Sequence, residues 1–282
     1  YYFCNGIIEK NMKISVIMST YNAESWLEKV LIGFGCQTFT DFEIIVADDG
    51  SREPTKQLIE RMRAEIDIPI VHVWQEDNGF QKSQILNKAI LAAKGEYLVF
   101  TDGDCIPRKD FIEVHNHYKE EGYFLSGGYF KLPMDISLAI TKENILNQDC
   151  FNVKWLKSKG KIPNYKNIKL KTSGMFSKFL NKITPTNASW NGHNASGWKK
   201  DLMEINGFNQ EMQYGGQDRE LGERLFNKGL KSKQIRYSAI VVHLDHKRGY
   251  VNEATWQKNF NIRENTRKNK VIKTPIGVES NL

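Results

Sequence analysis

Between Lys13 and Thr101 short apolar runs alternate with stretches of helical periodicity, and no other feature of the chain restricts the fold so tightly. The runs are Ile14-Ser-Val-Ile-Met18, Glu43-Ile-Ile-Val-Ala47, Ile70-Val-His-Val-Trp74 and Tyr97-Leu-Val-Phe100. Between them three sets of residues recur at helical spacing. These are Trp26, Leu27, Val30, Leu31 and Phe34, then Leu58, Ile59, Met62 and Ile66, then Ile85, Leu86, Ala89, Ile90 and Ala93, stopped by Gly95. Strands buried on both faces read as continuous apolar runs, and strand–helix alternation implies right-handed crossovers to a parallel sheet. The first hundred residues are therefore expected to be α/β, a mostly parallel central sheet flanked by helices.

The remainder is less periodic. From about Lys131 to Ser189 the chain is rich in Lys and Asn with scattered aromatics, which reads as a long irregular stretch. Order is expected to return with a short helix over Trp198–Ile205. A second helix over Asp218–Lys228 has Gly229 as its C-cap. A strand over Ile235–Val242 and a peripheral helix around Glu253–Asn265 follow. The opening YYFCNGIIEKN has no initiator Met and precedes the first clean strand, so residues 1–11 read as a translated leader or expression remnant.

Composition narrows the function classes. With 282 residues the chain makes one large domain or two small ones. Its 40% apolar and 11% aromatic content excludes a disordered chain. No apolar run approaches the roughly 18 residues of a bilayer-spanning helix. Cys4, Cys36, Cys105 and Cys150 lie far apart without a C-x-x-C pair, which argues against a zinc knuckle and for free thiols in a reducing, cytoplasmic setting. The sequons at Asn187 and Asn194 would matter only in a secreted eukaryotic chain. The net charge of +7 leaves nucleic acid, an anionic membrane surface and a phosphate-bearing substrate open.

Ligands of open parallel sheets bind at the carboxyl ends of the strands. Three polar clusters fall there: Thr20-Tyr-Asn22, Asp48-Asp-Gly-Ser51 and Asp102-Gly-Asp104. The first turn has no G-x-G-x-x-G and the chain no Walker A loop, against a nicotinamide enzyme or a P-loop NTPase. Two carboxylates flanking a glycine can chelate a hard divalent cation while the backbone approaches a diphosphate closely. Two Asp in a turn also cap backbone amides. The position after the fourth strand, with Asp48-Asp49 after the second, favours the metal.

The runs SVIMSTYNAESWLEKVL, IIVADDGS and DNGFQKSQILNKAILAAKGEYLVFTDGDCIP resemble the nucleotide-sugar-binding half of family 2 glycosyltransferases of the GT-A fold. The later run NASGWKKDLMEINGFNQEMQYGGQDRELGERLFNKG resembles a galactosyltransferase-type C-terminal region. The matching segments cover roughly residues 13–107 and 190–245. The resemblance implies an inverting, metal-dependent transfer from a nucleoside diphosphate donor, UDP-hexose or UDP-N-acetylhexosamine, to a saccharide acceptor in surface polysaccharide or lipopolysaccharide synthesis. It divides the chain into a nucleotide-sugar half (12–107), an acceptor-side catalytic half (108–246) and a basic tail (247–282).

Carried over residue by residue, the resemblance puts Thr20 and Tyr21 in the base pocket. Asp49 accepts from the nucleobase with Asp48 beside it, although Asp48 also suits a helix cap. Lys82 falls near the donor, or is an ordinary solvated lysine. Asp102 contacts ribose or metal and Asp104 binds the metal. His243 completes the metal shell, with His246 as the alternative. Two His alone fall short of a zinc site. Asn194, together with Asn191 and His193, faces the donor sugar, and Lys247 and Arg248 steady the diphosphate. Trp190 and Trp198 read either as sugar-stacking or as core aromatics.

A nucleoside diphosphate leaves readily only when its developing charge is neutralised, as Mn²⁺ or Mg²⁺ would do. An inverting displacement also needs one base for the acceptor hydroxyl, not the close carboxylate pair of a retaining glycosidase. The resemblance gives that role to Asp218, although Gln217 stands where the family commonly has Glu. An acidic residue there also suits a helix N-terminus. A basic polyanion- or nucleic-acid-binding protein would want Arg interleaved with aromatics, and no such motif occurs, so nucleic acid is not an expected partner. A sugar-nucleotide binder without transfer activity is opposed by the presence of both Asp104 and Asp218. The lysines of residues 154–182 instead suggest an anionic acceptor, or a lipid-linked saccharide reached by peripheral contact with the inner face of the membrane.

Overall fold

The structure, a computed structural model, describes residues 13–246 and 253–282. Strands β1 (Ile14–Thr20), β2 (Phe42–Asp48), β3 (Ile70–Trp74) and β4 (Tyr97–Asp102) are parallel neighbours, joined by helices α1 (Glu24–Gly35), α2 (Glu53–Glu65) and α3 (Lys82–Ala92). Successive side chains of a strand point to opposite faces. In β1, Val16 and Met18 join Leu27, Val30, Phe34 and Ile59 on one side, while Ile17 joins Ile85, Leu86 and Ile90 on the other. Both faces are thus buried, which is why the runs are continuously apolar.

Beyond β4 the chain forms β5 (Cys105–Pro107), α4 (Phe111–Tyr118), β6 (Tyr123–Ser126) and β7 (Gly128–Lys131). Five short helices follow: α5 (Met134–Ala139), α6 (Lys142–Leu146), α7 (Val153–Ser158), α8 (Ile168–Lys171) and α9 (Gly174–Ile183). The chain then makes β8 (Ala195–Trp198), α10 (Lys199–Glu204), α11 (Gln217–Asn227), β9 (Lys231–Gln234), β10 (Ile240–His243) and α12 (Glu253–Lys268). The main sheet has the order β3-β2-β1-β4-β8-β6-β9, and a small sheet has the order β5-β10-β7. Because β8 pairs antiparallel with β4, the two halves of the chain share one sheet.

Three expectations change here. The stretch 131–189 is largely helical, in pieces of four to ten residues. Part of its asparagine content serves as caps: Asn144 completes the capping box of Thr141, and Asn152 accepts from the Lys154 amide. The strand expected over 235–242 begins only at Ile240, because a turn closes residues 235–239 through the Ser238 and Ala239 amides on the Ile235 carbonyl. The helix expected from Trp198 begins at Lys199, since Ala195–Trp198 is strand β8. The leader assigned to residues 1–11 lies outside the described residues.

Helix α11 is fixed by a buried ion pair. Arg224 and Glu220 are 0% and 1% exposed at 2.8 Å, and Arg224 also donates to the Ile205 and Gly207 carbonyls. Thr266 of α12 donates to the same Glu220. A buried charge pair tolerates its desolvation only when its remaining hydrogen bonds are made, as they are here.

Candidate active site

The chain leaves β1 for β2 and β3 on one side and returns to β4 on the other, so the connections part at the carboxyl ends of β1 and β4. Such a switch point opens a crevice. A cleft of about 750 Å³ occupies it. Register sets its floor: Ser19 lies beside Asp102, and the Ser19 hydroxyl donates to the Asp102 carboxylate at 3.0 Å. Gly103 donates its amide to the Ser19 carbonyl at 2.8 Å, and a Cβ there would stand 2.9 Å from that oxygen, so only glycine permits the approach.

The small sheet brings the histidines in. β10 runs antiparallel to β5 with His243 opposite Cys105, and the Leu244 amide donates to the Asp104 carbonyl. His243 Nε2 and His246 Nε2 consequently lie 3.8 and 3.0 Å from Asp104 Oδ2. Ligand atoms of Asp104, His243 and His246 all fall within 4.8 Å of one another, and Asp102 joins Asp104 in a second group of that size. His243 Nδ1 is 2.7 Å from the Leu244 carbonyl, the contact that fixes this nitrogen as the N–H and leaves the Nε2 lone pair facing Asp104. The two imidazoles stack at 15°. Mg²⁺ is served mainly by oxygen ligands, so of the two ions considered this mixed nitrogen and oxygen set fits Mn²⁺ better.

Lys82, the first residue of α3, donates to Asp102 at 2.6 Å. Burial works against the ammonium charge, but Asp102, Asp218 and Asp104 around it hold its pKa above the ordinary lysine value. Burial would likewise raise Asp102, yet the Lys82 charge and hydrogen bond, with the neighbouring imidazoles, keep that carboxyl well below the usual range. His193 also lines the cleft, and burial pushes it down to about 4.

Asp49 lines the cleft, accepting from the Gln81 amide at 2.9 Å and the Gln75 side chain at 2.7 Å. Burial outweighs these bonds and pushes its pKa up to about 6. Tyr21 is exposed at the mouth, donating to Asp77 at 2.8 Å. Thr20 Oγ1 is buried in the wall with no hydrogen-bond partner.

Asp218 is the second residue of α11, entered through Gly215 and Gly216 at φ +112° and +87°, a conformation that glycine adopts without strain. One face of α12 holds this turn. The Asn259 side-chain amide reaches the carbonyls of Gln213, Tyr214 and Gly215 at 2.8–3.1 Å, while Trp256 and Arg263 lie against Gly215 and Gly216. Asp218 Oδ1 is buried without a hydrogen-bond partner. Burial raises its pKa, partly offset by Lys82 and by the Gly192 amide.

The structure does not bring every expected residue here. Asp48 is 1% exposed and turned away, accepting from the Ser51 amide and lying 2.9 Å from His72. Of two adjacent residues at a strand end, only one can face the crevice. Asn194 is fully buried behind it, its amide donating to the Gly128 and Ala239 carbonyls and its oxygen 3.0 Å from His115 Nε2. Trp190 is a core residue packed between Phe100 and Phe124. Lys247 and Arg248 lie outside the described residues. Phe80 and Tyr214, in edge contact at 5.8 Å, line the cleft and were not anticipated. A hydrophobic residue in a polar loop carries no periodic signal.

Residues 15–176 match the profile of glycosyl transferase family 2, and residues 176–247 match that of the N-terminal domain of galactosyltransferase. Poly(ribitol-phosphate) beta-N-acetylglucosaminyltransferase TarS of Staphylococcus aureus is 33% identical over 114 residues, 37% of this chain and 20% of TarS. Chondroitin synthase of Escherichia coli is 25% identical over 232 residues, 79% of this chain and 33% of that protein. The chain thus spans between a fifth and a third of the length of these two relatives. The structure of TarS 1–349 with UDP-GlcNAc superposes with a TM-score of 0.63 at 16% identity, covering 95% of this chain and 69% of that one. Mannosyltransferase PcManGT from Pyrobaculum calidifontis, solved with GDP-Man and Mn²⁺, gives a TM-score of 0.55 at 19% identity, covering 91% and 61%. The shared architecture is the mixed α/β sheet of the GT-A fold.

Proposed function

Because the chain belongs to glycosyltransferase family 2, we propose that its cleft moves a hexosyl or N-acetylhexosaminyl group from a UDP-sugar to a saccharide acceptor, with inversion at the anomeric carbon. The observation that carries this reading is the carboxylate of Asp218, with one buried, unpartnered oxygen in the same cleft as the Asp102-Gly-Asp104 turn. Its raised pKa makes it a stronger base than an ordinary aspartate. In the proposed displacement the acceptor oxygen attacks the anomeric carbon while Asp218 takes its proton. The bond from that carbon to the diphosphate oxygen breaks, and the nucleoside diphosphate leaves with the electron pair.

The other residues bind and orient. Asp49 accepts from the nucleobase N–H, with Thr20 and Tyr21 around the base. Lys82 holds the Asp102 carboxylate and places a positive charge near the phosphates. Asp104, His243 and His246, with Asp102 beside them, would hold Mn²⁺, which when bound supplies Lewis-acid neutralisation of the departing diphosphate. The UDP-GlcNAc complex of TarS supports UDP as the nucleotide, and the galactosyltransferase-type match supports galactose or N-acetylgalactosamine as further candidates. Relatives named for poly(ribitol phosphate) and chondroitin support a polysaccharide acceptor. Among the described residues no helix is long and apolar enough to cross a membrane. A panel of nucleotide sugars, scored for hydrolysis with and without Mn²⁺, tests the reading. Release of UDP from one UDP-sugar, abolished by chelator, is expected, and equal release with chelator would remove the metal from the proposal.

A further inference from the structure

Helix α9 is docked with its polar side inward. Ser177 is 3% exposed, and Ser177 and Asn181, one turn apart, both hydrogen-bond to Ser238 in the β9–β10 turn. Asn181 also accepts from the Tyr237 amide. Its outer side carries Met175, Phe176, Phe179 and Ile183, which are 88%, 55%, 55% and 53% exposed. On a helix advancing about 100° per residue these four fall within one arc of roughly 100°. Lys178 and Lys182 lie along one edge of that arc. A surface helix of a fold in water presents the reverse arrangement, and a run of large exposed apolar side chains marks an interaction site.

Charge specifies the partner. Between Asp149 and Asp201 the chain has eleven lysines and no carboxylate side chain, more positive charge than the net +7 of the whole protein. Apolar side chains bordered by lysines, with no acidic residue in the segment, match the boundary between acyl chains and anionic headgroups. We propose that α9 docks in the plane of an anionic phospholipid bilayer, with Met175, Phe176, Phe179 and Ile183 below the headgroups and the lysines at the phosphates.

The helix preceding α9 reaches the rim of the cleft through one side chain. Lys169 of α8, immediately before α9, donates to the Tyr129 carbonyl at 3.2 Å and lies over its ring. The Tyr129 ring meets His193 of the cleft edge-on at 4.5 Å. On the transferase reading, on which only this part rests, membrane docking brings a lipid-linked acceptor to the side of the cleft bounded by His193.

Sedimentation with vesicles of equal parts phosphatidylglycerol and phosphatidylcholine, against phosphatidylcholine alone, tests the binding. The chain is expected to sediment with the anionic vesicles and to be released by salt. Phe176→Ser/Phe179→Ser should weaken that binding at least about tenfold with an unchanged melting temperature, since both side chains are exposed. Phe179→Trp should show an emission blue shift only with anionic vesicles. Equal binding to neutral vesicles, unchanged binding of the double variant, or a dimer that the double variant dissolves would each overturn the proposal. Donor hydrolysis without vesicles should be the same in the double variant and the parent, so loss of docking and loss of transfer are read separately.

Discussion

Replacing Asp218 by asparagine should move activity and stability in opposite directions. The carboxylate of Asp218 has a buried, unpartnered oxygen, and its pKa is raised even with Lys82 nearby. In the folded protein its ionised form is therefore disfavoured on balance, the Lys82 attraction already included. Asparagine keeps the shape beside Gly192, where a Cβ would stand 2.8 Å from the Asp218 carboxylate, and can still accept the Gly192 amide. Asparagine leaves a neutral amide atom in the place of the partnerless oxygen, so what it removes is the buried charge, whose cost exceeds that of a neutral unpaired group by about 1 kcal/mol. That corresponds to a rise of roughly 2 °C in melting temperature for a chain of this size.

The sign can be checked against pH. An acid with a raised folded pKa costs stability as pH rises from the unfolded value of 3.8 through the folded one. The gap between variant and parent should therefore close as pH falls toward 3.8 and widen as pH rises through the folded pKa. Transfer should fall by about 10²–10⁴, the loss typical of a general base, or roughly 3–5 kcal/mol on the barrier. The assays are calorimetric melting across pH, UDP binding by titration calorimetry, and transfer to a saccharide acceptor. UDP affinity should not change. A variant that is less stable than the parent and turns over at near-normal rate would refute both the burial argument and the base assignment.

Asp104→Asn should raise the Mn²⁺ dissociation constant, read by electron paramagnetic resonance titration, by at least about a hundredfold, the upper range for disturbing a metal ligand's partner. Ionised Asp49 accepts from a nucleobase N–H more strongly than its protonated form, so UDP affinity should be highest above its pKa of about 6 and fall below it, by at most about tenfold per pH unit. Asp49→Asn should remove that step, and calorimetry on both proteins separates it from the titration of UDP itself. Arg224→Met leaves Glu220 buried without its cation and should cost about 3–5 kcal/mol in urea unfolding. A loss under 1 kcal/mol would show the pair to be dispensable.

How much of this was legible in the sequence depended on burial. β1 to β4 and α1 to α3 were read because both sheet faces are covered, which leaves period and length intact in the sequence. β5 to β9 are three or four residues long, too short for a period to register. Helix α9 escaped notice because its apolar residues face outward and do not follow the core. Among the site residues, Thr20, Tyr21, Asp49, Lys82, Asp102, Asp104, Asp218 and His243 do line one cleft. Asp48 and Asn194 do not, for reasons that sequence spacing does not encode: strand parity for the one, and the His115 and carbonyl partners behind the sheet for the other. His246 was ranked below His243, yet the turn after β10 brings both to Asp104.

The turn that carries Asp218 leans on a helix made later in the chain. Asn259 reaches back to carbonyls such as that of Tyr214, 45 residues earlier. During synthesis, at about 5–20 residues per second, every strand of the main sheet is made before α12 has left the ribosome. Residues 213–216 then wait for their support. A chain that has not yet made α12 would thus have its sheet but not the support that holds the turn leading into Asp218. A chain stopped before Glu253 should lose the far-ultraviolet helical signal of α12, still bind UDP, and release no sugar. Turnover by that shortened chain would show that the turn holds its shape unaided.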